Sequence, residues 1–254
     1  MGKVLPRVAV PLGTVLVTVF GVSGAAAAAG PARLASTLVV KSGTVITVTA
    51  GVGRANTISA WQSGTTIHID DTGDGLVPYG GCTSVSPGEI SCPAAGLTEF
   101  VVYAGDQNDE VHSYLATPGV TLIGGAGDDA LFGGSANDTL EGDDGGDFLS
   151  GGNGNDTLSG GTGANGLSGG AGNDSIDGGP QNDVADGGAG NDVINGASGN
   201  DQLYAGTGND YVGGDAGNDA IYAQDGVFGN DYVDGGSGTD TCSADPGDNV
   251  AGCP

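Results

Sequence analysis

Gly151-Gly152-Asn153-Gly154-Asn155-Asp156-Thr157-Leu158-Ser159 is echoed eighteen residues later by Gly169-Gly170-Ala171-Gly172-Asn173-Asp174-Ser175-Ile176-Asp177. Both read Gly-Gly-x-Gly-x-Asp-x-apolar-x. Extending the register outward holds the period at nine. Frames begin at Gly124, Gly133, Gly142, Gly151, Gly160, Gly169, Gly178, Gly187, Gly196, Ala205 and Gly214. Three extra residues, Ala223 to Asp225, precede two last frames at Gly226 and Gly235. Position six is Asp in twelve of the thirteen units, the exception being Asn165. Position eight is a large aliphatic in eleven, the exceptions being Ala185 and Cys242. Two phases held this well mark a repeat architecture.

The chemistry of the unit divides it in two. Positions one to six are dominated by Gly, Asn and Asp, which tolerate the left-handed backbone of a tight turn. Positions seven to nine carry one apolar side chain between small polar ones. That is a minimal strand with position eight facing inward. One such unit cannot bury a core, but stacked units can, through a ladder of Leu, Ile and Val.

The pattern resembles the RTX, or hemolysin-type, calcium-binding repeat family. The resemblance implies an all-β, right-handed parallel β-roll with two nonapeptides per coil. Residues eighteen apart then stack on the same side. One row is Asp129, Asp147, Asn165, Asp183, Asp201 and Asp219; the other is Asp138, Asp156, Asp174, Asp192 and Asp210. Carboxylates at strand spacing repel by about 1 kcal/mol per pair even in water. Several Ca²⁺ ions are the implied counter-charge, since Ca²⁺ takes six to eight oxygens in flexible geometry and Mg²⁺ demands a tighter octahedron. The resemblance also implies backbone carbonyl ligands near positions two and four, such as Gly125, Gly127, Gly152, Gly154, Gly170, Gly172, Gly188 and Gly190. Metal binding is then expected to be coupled to folding.

Departures from the pattern carry their own expectations. Asn165 loses a charge, Pro180 and Gln181 replace a free residue and a Gly, and Ala185 is small. Weak or empty sites are expected near residues 160–186. The insertion at Ala223–Asp225 breaks phase, so Asp231 and Asp240 are expected to form an irregular end site. Asp109, in Ala104-Gly105-Asp106-Gln107-Asn108-Asp109-Glu110-Val111, reads as the sixth residue of a degenerate first unit. An excursion from Ser113 to Ile123 follows it.

The 254 residues include 31 acids and only five Lys or Arg, a formal charge of −26. Nucleic acid is a poor partner for such a chain, because phosphate binding needs basic residues. Lys3 and Arg7, the apolar run Val8–Phe20 and the small residues of 24–30 read as an export signal over 1–29. The expected product is secreted, extracellular and without a stable membrane anchor once the signal is removed, its surface or matrix partner unspecified. Cys82 with Cys92 and Cys242 with Cys253 form two local pairs that favour disulfides in an oxidising compartment. A four-thiolate zinc site competes, although the spacings are wide for it.

Residues 30–103 read as a β-rich cap, with strands at 44–50, 57–60, 65–70 and 100–103. The roll is expected over 104–243 and a disulfide-closed tail over 244–254. His68 sits beside Asp70 and Asp71 and invites a catalytic reading of the cap. The cap has no His-Glu-x-x-His helix and no Gly-x-Ser-x-Gly elbow, so the expectation is that the protein is not an enzyme. A glycan- or surface-binding module using Trp61 or an aromatic rung of Tyr204 and Tyr222 is the other alternative.

Overall fold

A computed structural model of the chain describes residues 37–72 and 75–253. The export-signal segment 1–29 lies outside the described residues. The fold is all-β, a parallel β-roll, and no helix occurs among the described residues. Nine strands come first: β1 (Leu38–Ser42), β2 (Val45–Thr49), β3 (Thr57–Ser63), β4 (Thr66–Asp71), β5 (Val77–Tyr79), β6 (Thr83–Ser86), β7 (Glu89–Pro93), β8 (Glu99–Asp106) and β9 (Glu110–Tyr114). Fifteen more follow, from β10 (Val120–Ala126) and β11 (Ala130–Gly134) to β22 (Tyr232–Asp234), β23 (Thr241–Ala244) and β24 (Asn249–Ala251).

Strands alternate between two twelve-stranded sheets, so each coil gives one strand to each. The eighteen-residue register is explicit in the pairs Leu140↔Leu158, Leu158↔Ile176 and Ile176↔Ile194 on one sheet and Leu131↔Leu149 and Leu149↔Leu167 on the other. Position eight faces the interior throughout, and Leu131, Leu140, Leu149, Ile194, Leu203, Val212 and Val233 are wholly buried. Ala185 fills its place in the same ladder, also fully buried. With one apolar side chain per unit, the core is two facing ladders and little else.

The coil begins earlier than the repeats do. β2 pairs in parallel with β8, and β3 in parallel with β9. Residue 104, expected as the first of the roll, therefore falls inside β8. Hairpins β1–β2 and β3–β4, with β7 and β6 beyond, turn the N-terminal edges antiparallel and cover them. Solenoids need such atypical end units, because an open parallel edge would recruit other chains. The next coil is two residues longer than the regular eighteen-residue one, as Val102↔Leu122 and Val111↔Leu131 show, and Leu115 of its excursion is buried.

The insertion at 223–225 does not break phase, against the sequence expectation. Tyr211 pairs with Tyr232 and Ala220 with Thr241, so a 21-residue coil keeps both ladders aligned. Ala223 itself stays in the sheet and is buried in the core, and the chain after it is tied down outside. The Asp245 carboxylate accepts the Asp225 and Gly226 N–H groups at 2.9 and 2.6 Å, and Asp225 accepts that of Val227 at 2.8 Å. Both cysteine pairs are disulfides, Cys82–Cys92 and Cys242–Cys253, which removes the zinc alternative. Cys242 and Cys253 pack against the last rungs of the core.

Candidate metal centre

Each turn delivers its position-six side chain to the seam between coils. All thirteen predicted aspartates, from Asp109 to Asp240, are only 1–4 % exposed. They form the two expected rows, and each is bound to its neighbours in a way the sequence did not reveal. One carboxylate oxygen, Oδ1, accepts the N–H of the position-six residue one coil earlier, except at Asp138, which accepts that of Val120. In one row Asp129 N–H reaches Asp147, and Asp183 reaches Asp201, both at 2.8 Å. In the other Asp138 reaches Asp156, and Asp156 reaches Asp174, again at 2.8 Å. Asp231 and Asp240 continue the rows, accepting from Asp210 and Asp219 at 2.9 Å. They are ordinary members and not an irregular end site. Asp109 belongs as well: its own N–H reaches Asp129 at 2.7 Å, and it accepts from Asn56 at 2.6 Å.

The second oxygen, Oδ2, has no hydrogen-bond partner in any of the thirteen. In ten of the turns it lies against the position-one glycine of its own turn; Asp109 and Asp210 have Ala104 and Ala205 there, and Gly226 stands clear of Asp231. A Cβ placed on Gly133 would lie 2.6 Å from Asp138 Oδ2 and 2.8 Å from the carbonyl oxygen of Gly151, one coil on. One on Gly178 would lie 2.7 Å from Asp183 Oδ2 and 3.0 Å from the Gly196 carbonyl. Carboxylate and carbonyl oxygens thus face one another across a space a methyl would fill. The glycines at positions two and four, such as Gly170 (φ 107) and Gly172 (φ 134), are left-handed. Position-one glycines such as Gly124 and Gly133 are not among the left-handed residues, so their recurrence reflects that space.

The predicted carbonyl ligands divide. Position-two carbonyls serve the backbone ladder: Gly188 O accepts Thr207 N–H at 2.7 Å. Position-four carbonyls, those of Gly127, Gly154, Gly172 and Gly190, face along the coil axis toward the next position-four glycine. The donors that reach such carbonyls are side-chain amides, as where Asn165 Nδ2 donates to Gly163 O at 3.2 Å. The position-one carbonyls join the site; sequence reasoning missed them because it read that glycine as turn freedom alone. It also missed a second ladder at position five, where Asn137, Asn155, Asn173 and Asn191 each accept the N–H of their counterpart one coil on, at 2.7–2.9 Å. The signal was available, since position five is Asn in nine of the thirteen units.

Electrostatics make the oxygen spaces costly as they stand. Burial, opposed by the N–H bonds and reinforced by neighbouring carboxylates, raises Asp129 and Asp156 to about 7. Burial likewise raises Asp109, Asp138, Asp183, Asp192, Asp201 and Asp210 to about 6. Asp147, Asp174, Asp219 and Asp231 move in the same direction for the same first cause. An acceptor-only carboxylate oxygen buried among carbonyls needs a proton or a cation. Among the described residues no three His, Cys, Asp or Glu side chains converge on one point. A metal here is therefore held by carboxylate and backbone oxygens together. Such an all-oxygen, flexible donor set fits Ca²⁺, and it offers neither the nitrogen nor the sulfur that zinc favours.

The other candidates sit differently. His68 points outward, its Nδ1 2.9 Å from Glu89 Oε1 and its ring stacked on Trp61. Asp71 faces the interior instead, accepting from the Thr37 hydroxyl. Tyr204 and Tyr222 stack at 4.9 Å with planes 11° apart, and Tyr211 and Tyr232 do the same on the other sheet at 4.8 Å.

Comparison with curated proteins finds no matching relative. A family model, that of the RTX calcium-binding nonapeptide repeat, matches in four copies over residues 121–149, 150–185, 186–221 and 225–251. Its copies span the rows of buried, unpartnered carboxylates, and the matched residues make up half of the chain. The protein belongs to the RTX calcium-binding repeat family, and its roll is a calcium-binding one.

Proposed function

We propose that this is an exported protein whose roll orders around several Ca²⁺ ions outside the cell, and that it acts there as a structural or interaction module without catalysis. The observation that carries the reading is the set of thirteen buried Oδ2 atoms with no donor to satisfy them. Residues Asp129, Asp138 and their successors would hold the ions, with position-one and position-four carbonyls completing the shell. Bound Ca²⁺ supplies the positive charge that turns a repulsive seam into a cohesive one. Export is supported by the basic and apolar composition of 1–29 and by two disulfides, which persist in oxidising compartments.

A non-catalytic role is supported by the placement of His68 on an open strand face, its Nδ1 bonded to Glu89 and its ring stacked on Trp61, with no pocket around it among the described residues. A sugar platform is disfavoured for the tyrosine rungs, because stacking covers one face of each ring. Far-ultraviolet circular dichroism of the protein lacking residues 1–29 tests the coupling. In EGTA at neutral pH the β signal should be largely absent, and added Ca²⁺ should restore it cooperatively where Mg²⁺ does not. A β-rich spectrum indifferent to chelator would reject the proposal.

A further inference from the structure

Asn165 occupies position six of its turn and keeps the row intact. Its Oδ1 accepts Asp147 N–H at 2.9 Å, and its own N–H reaches Asp183 Oδ1 at 2.7 Å. The difference is on the other branch. Where the aspartates turn an unpartnered Oδ2 toward the carbonyls, Asn165 turns Nδ2. That amide donates to Gly163 O, two residues back, at 3.2 Å, and to Gly178 O, position one of the next coil, at 3.3 Å. A Cβ on Gly160 would meet this Nδ2 at 2.6 Å, the place where Gly133 would meet Asp138 Oδ2. The amide hydrogens stand where a cation would stand in a regular turn.

The same pattern recurs at the foot of the row. Asn56, 1 % exposed, donates from Nδ2 to Arg54 O, two residues back, at 3.1 Å and to Ala104 O in the next coil at 3.5 Å. Its backbone N–H enters the row through Asp109. These are the same two relations, on a turn outside the segments that match the repeat family. A further side-chain bond closes the Asn165 coil. Regular position-four N–H groups donate to the next coil's position-three carbonyl, as Gly154 does to Ala171 O at 2.8 Å. Gly163 donates instead to the Gln181 side-chain oxygen, also at 2.8 Å. Gln181 holds φ 81 to reach it, at a position usually given to glycine. Asp147 and Asp183, its neighbours on either side in the row, keep their open Oδ2 atoms, so the change is confined to one turn.

We infer that Asn56 and Asn165 plug two of the oxygen-lined spaces with their own amide donors, so that these turns close without a metal and divide one row into separate calcium-loading blocks. Asp109, Asp129 and Asp147 form one block; Asp183, Asp201, Asp219 and Asp240 form the other. The opposite row, Asp138 to Asp231, runs without interruption. The inference rests on the calcium reading above, and it assigns the metal-free turns by residue.

The test uses the chain lacking 1–29 in wild-type, Asn165→Asp and Asp174→Asn forms. Each is stripped with EGTA, dialysed to equilibrium against Ca²⁺ and its metal counted by mass spectrometry. Asn165→Asp should hold about one more Ca²⁺ per chain, and Asp174→Asn about one fewer. Hydrogen exchange in EGTA is the second arm, run at the pH where the metal-free roll is half folded. Amides of 160–183 in the wild type should exchange on the order of tenfold more slowly than those of the regular coil 187–204. An unchanged count in a folded Asn165→Asp overturns the inference, as does equal exchange in the two segments. A wild type that takes up no Ca²⁺ defeats the calcium reading instead, and the exchange arm still decides whether the asparagine turns close unaided.

Discussion

Acid should rescue this roll from calcium depletion. The perturbation is a pH series in EGTA, from about 4 to 8. Eight of the buried aspartates titrate at about 6 or about 7 when folded, against 3.8 as the ordinary value. The folded chain therefore binds more protons than the unfolded one between those limits, and its stability must fall as pH rises. The contribution is fully present below about 4 and is lost as pH climbs through 6 to 7. A two-unit shift weighs about 3 kcal/mol against the ionised form. Water reaching the turns reduces that. At half weight the eight still sum to roughly 10 kcal/mol, comparable to the whole stability of a domain of this kind. Thermal melts followed by circular dichroism should show a metal-free roll that is β-rich near pH 4 and unfolded near pH 7.5. Ca²⁺ at pH 7.5 should restore it, and the Ca²⁺ needed to half-saturate the sites should increase as protons compete below pH 6. A metal-free stability that is flat or climbing from pH 4 to 7 would refute the assignment of Oδ2 as a buried, unpartnered charge.

Three substitutions probe the scaffold around those carboxylates. Gly172→Ala should prevent cooperative refolding in Ca²⁺, since φ 134 is forbidden to alanine and its methyl would run into the Gly154 carbonyl. Ala197→Gly should do the opposite and raise the unfolding free energy read from a denaturant melt by about 1 kcal/mol, because Ala197 already holds φ 69 at a position where most units have glycine. Replacing Cys242 and Cys253 together by Ser should cost roughly 2–3 kcal/mol for an eleven-residue loop. Hydrogen exchange should report that loss first in residues 232–251, at the end of the two sheets, and an unchanged exchange pattern would show that the tail needs no closure.

How much was legible depended on where the period held. The roll, its register and the two aspartate rows followed from positions six and eight, because a parallel solenoid repeats its contacts whenever it repeats its sequence. The first coil was harder to see. Its turn around Gly51–Asn56 lacks the Asp, and two hairpins separate it in sequence from Asp109, though the structure lays β2 and β3 directly under β8 and β9. The three-residue insertion looked like a break because counting treats every residue as part of the coil. The chain instead diverts most of it into a loop held by Asp225, Asp245 and Asp248, where its length costs the ladders nothing. The role of the position-one glycine was also hidden. A Gly kept for a left-handed φ and a Gly kept for space look alike in sequence, and only the placement of Oδ2 separates them.

The aspartate at position six makes two opposed contributions to the same seam. Its Oδ1 receives an N–H from the coil before and is cohesive whether or not a metal is present. Its Oδ2 adds unpaired charge among carbonyls and is repulsive until something positive arrives. A residue that kept only the first contribution would give a roll that is always folded; one that kept only the second would leave coils with no link between them. Asparagine at 165 keeps the link and removes the repulsion, which explains why it sits in the row without disturbing its spacing; Asn56, in the first coil, joins the row through its backbone N–H alone. The calcium dependence of such a roll is therefore set residue by residue at one position of the unit, and the ratio of Asp to Asn there determines how much of the solenoid waits for the ion.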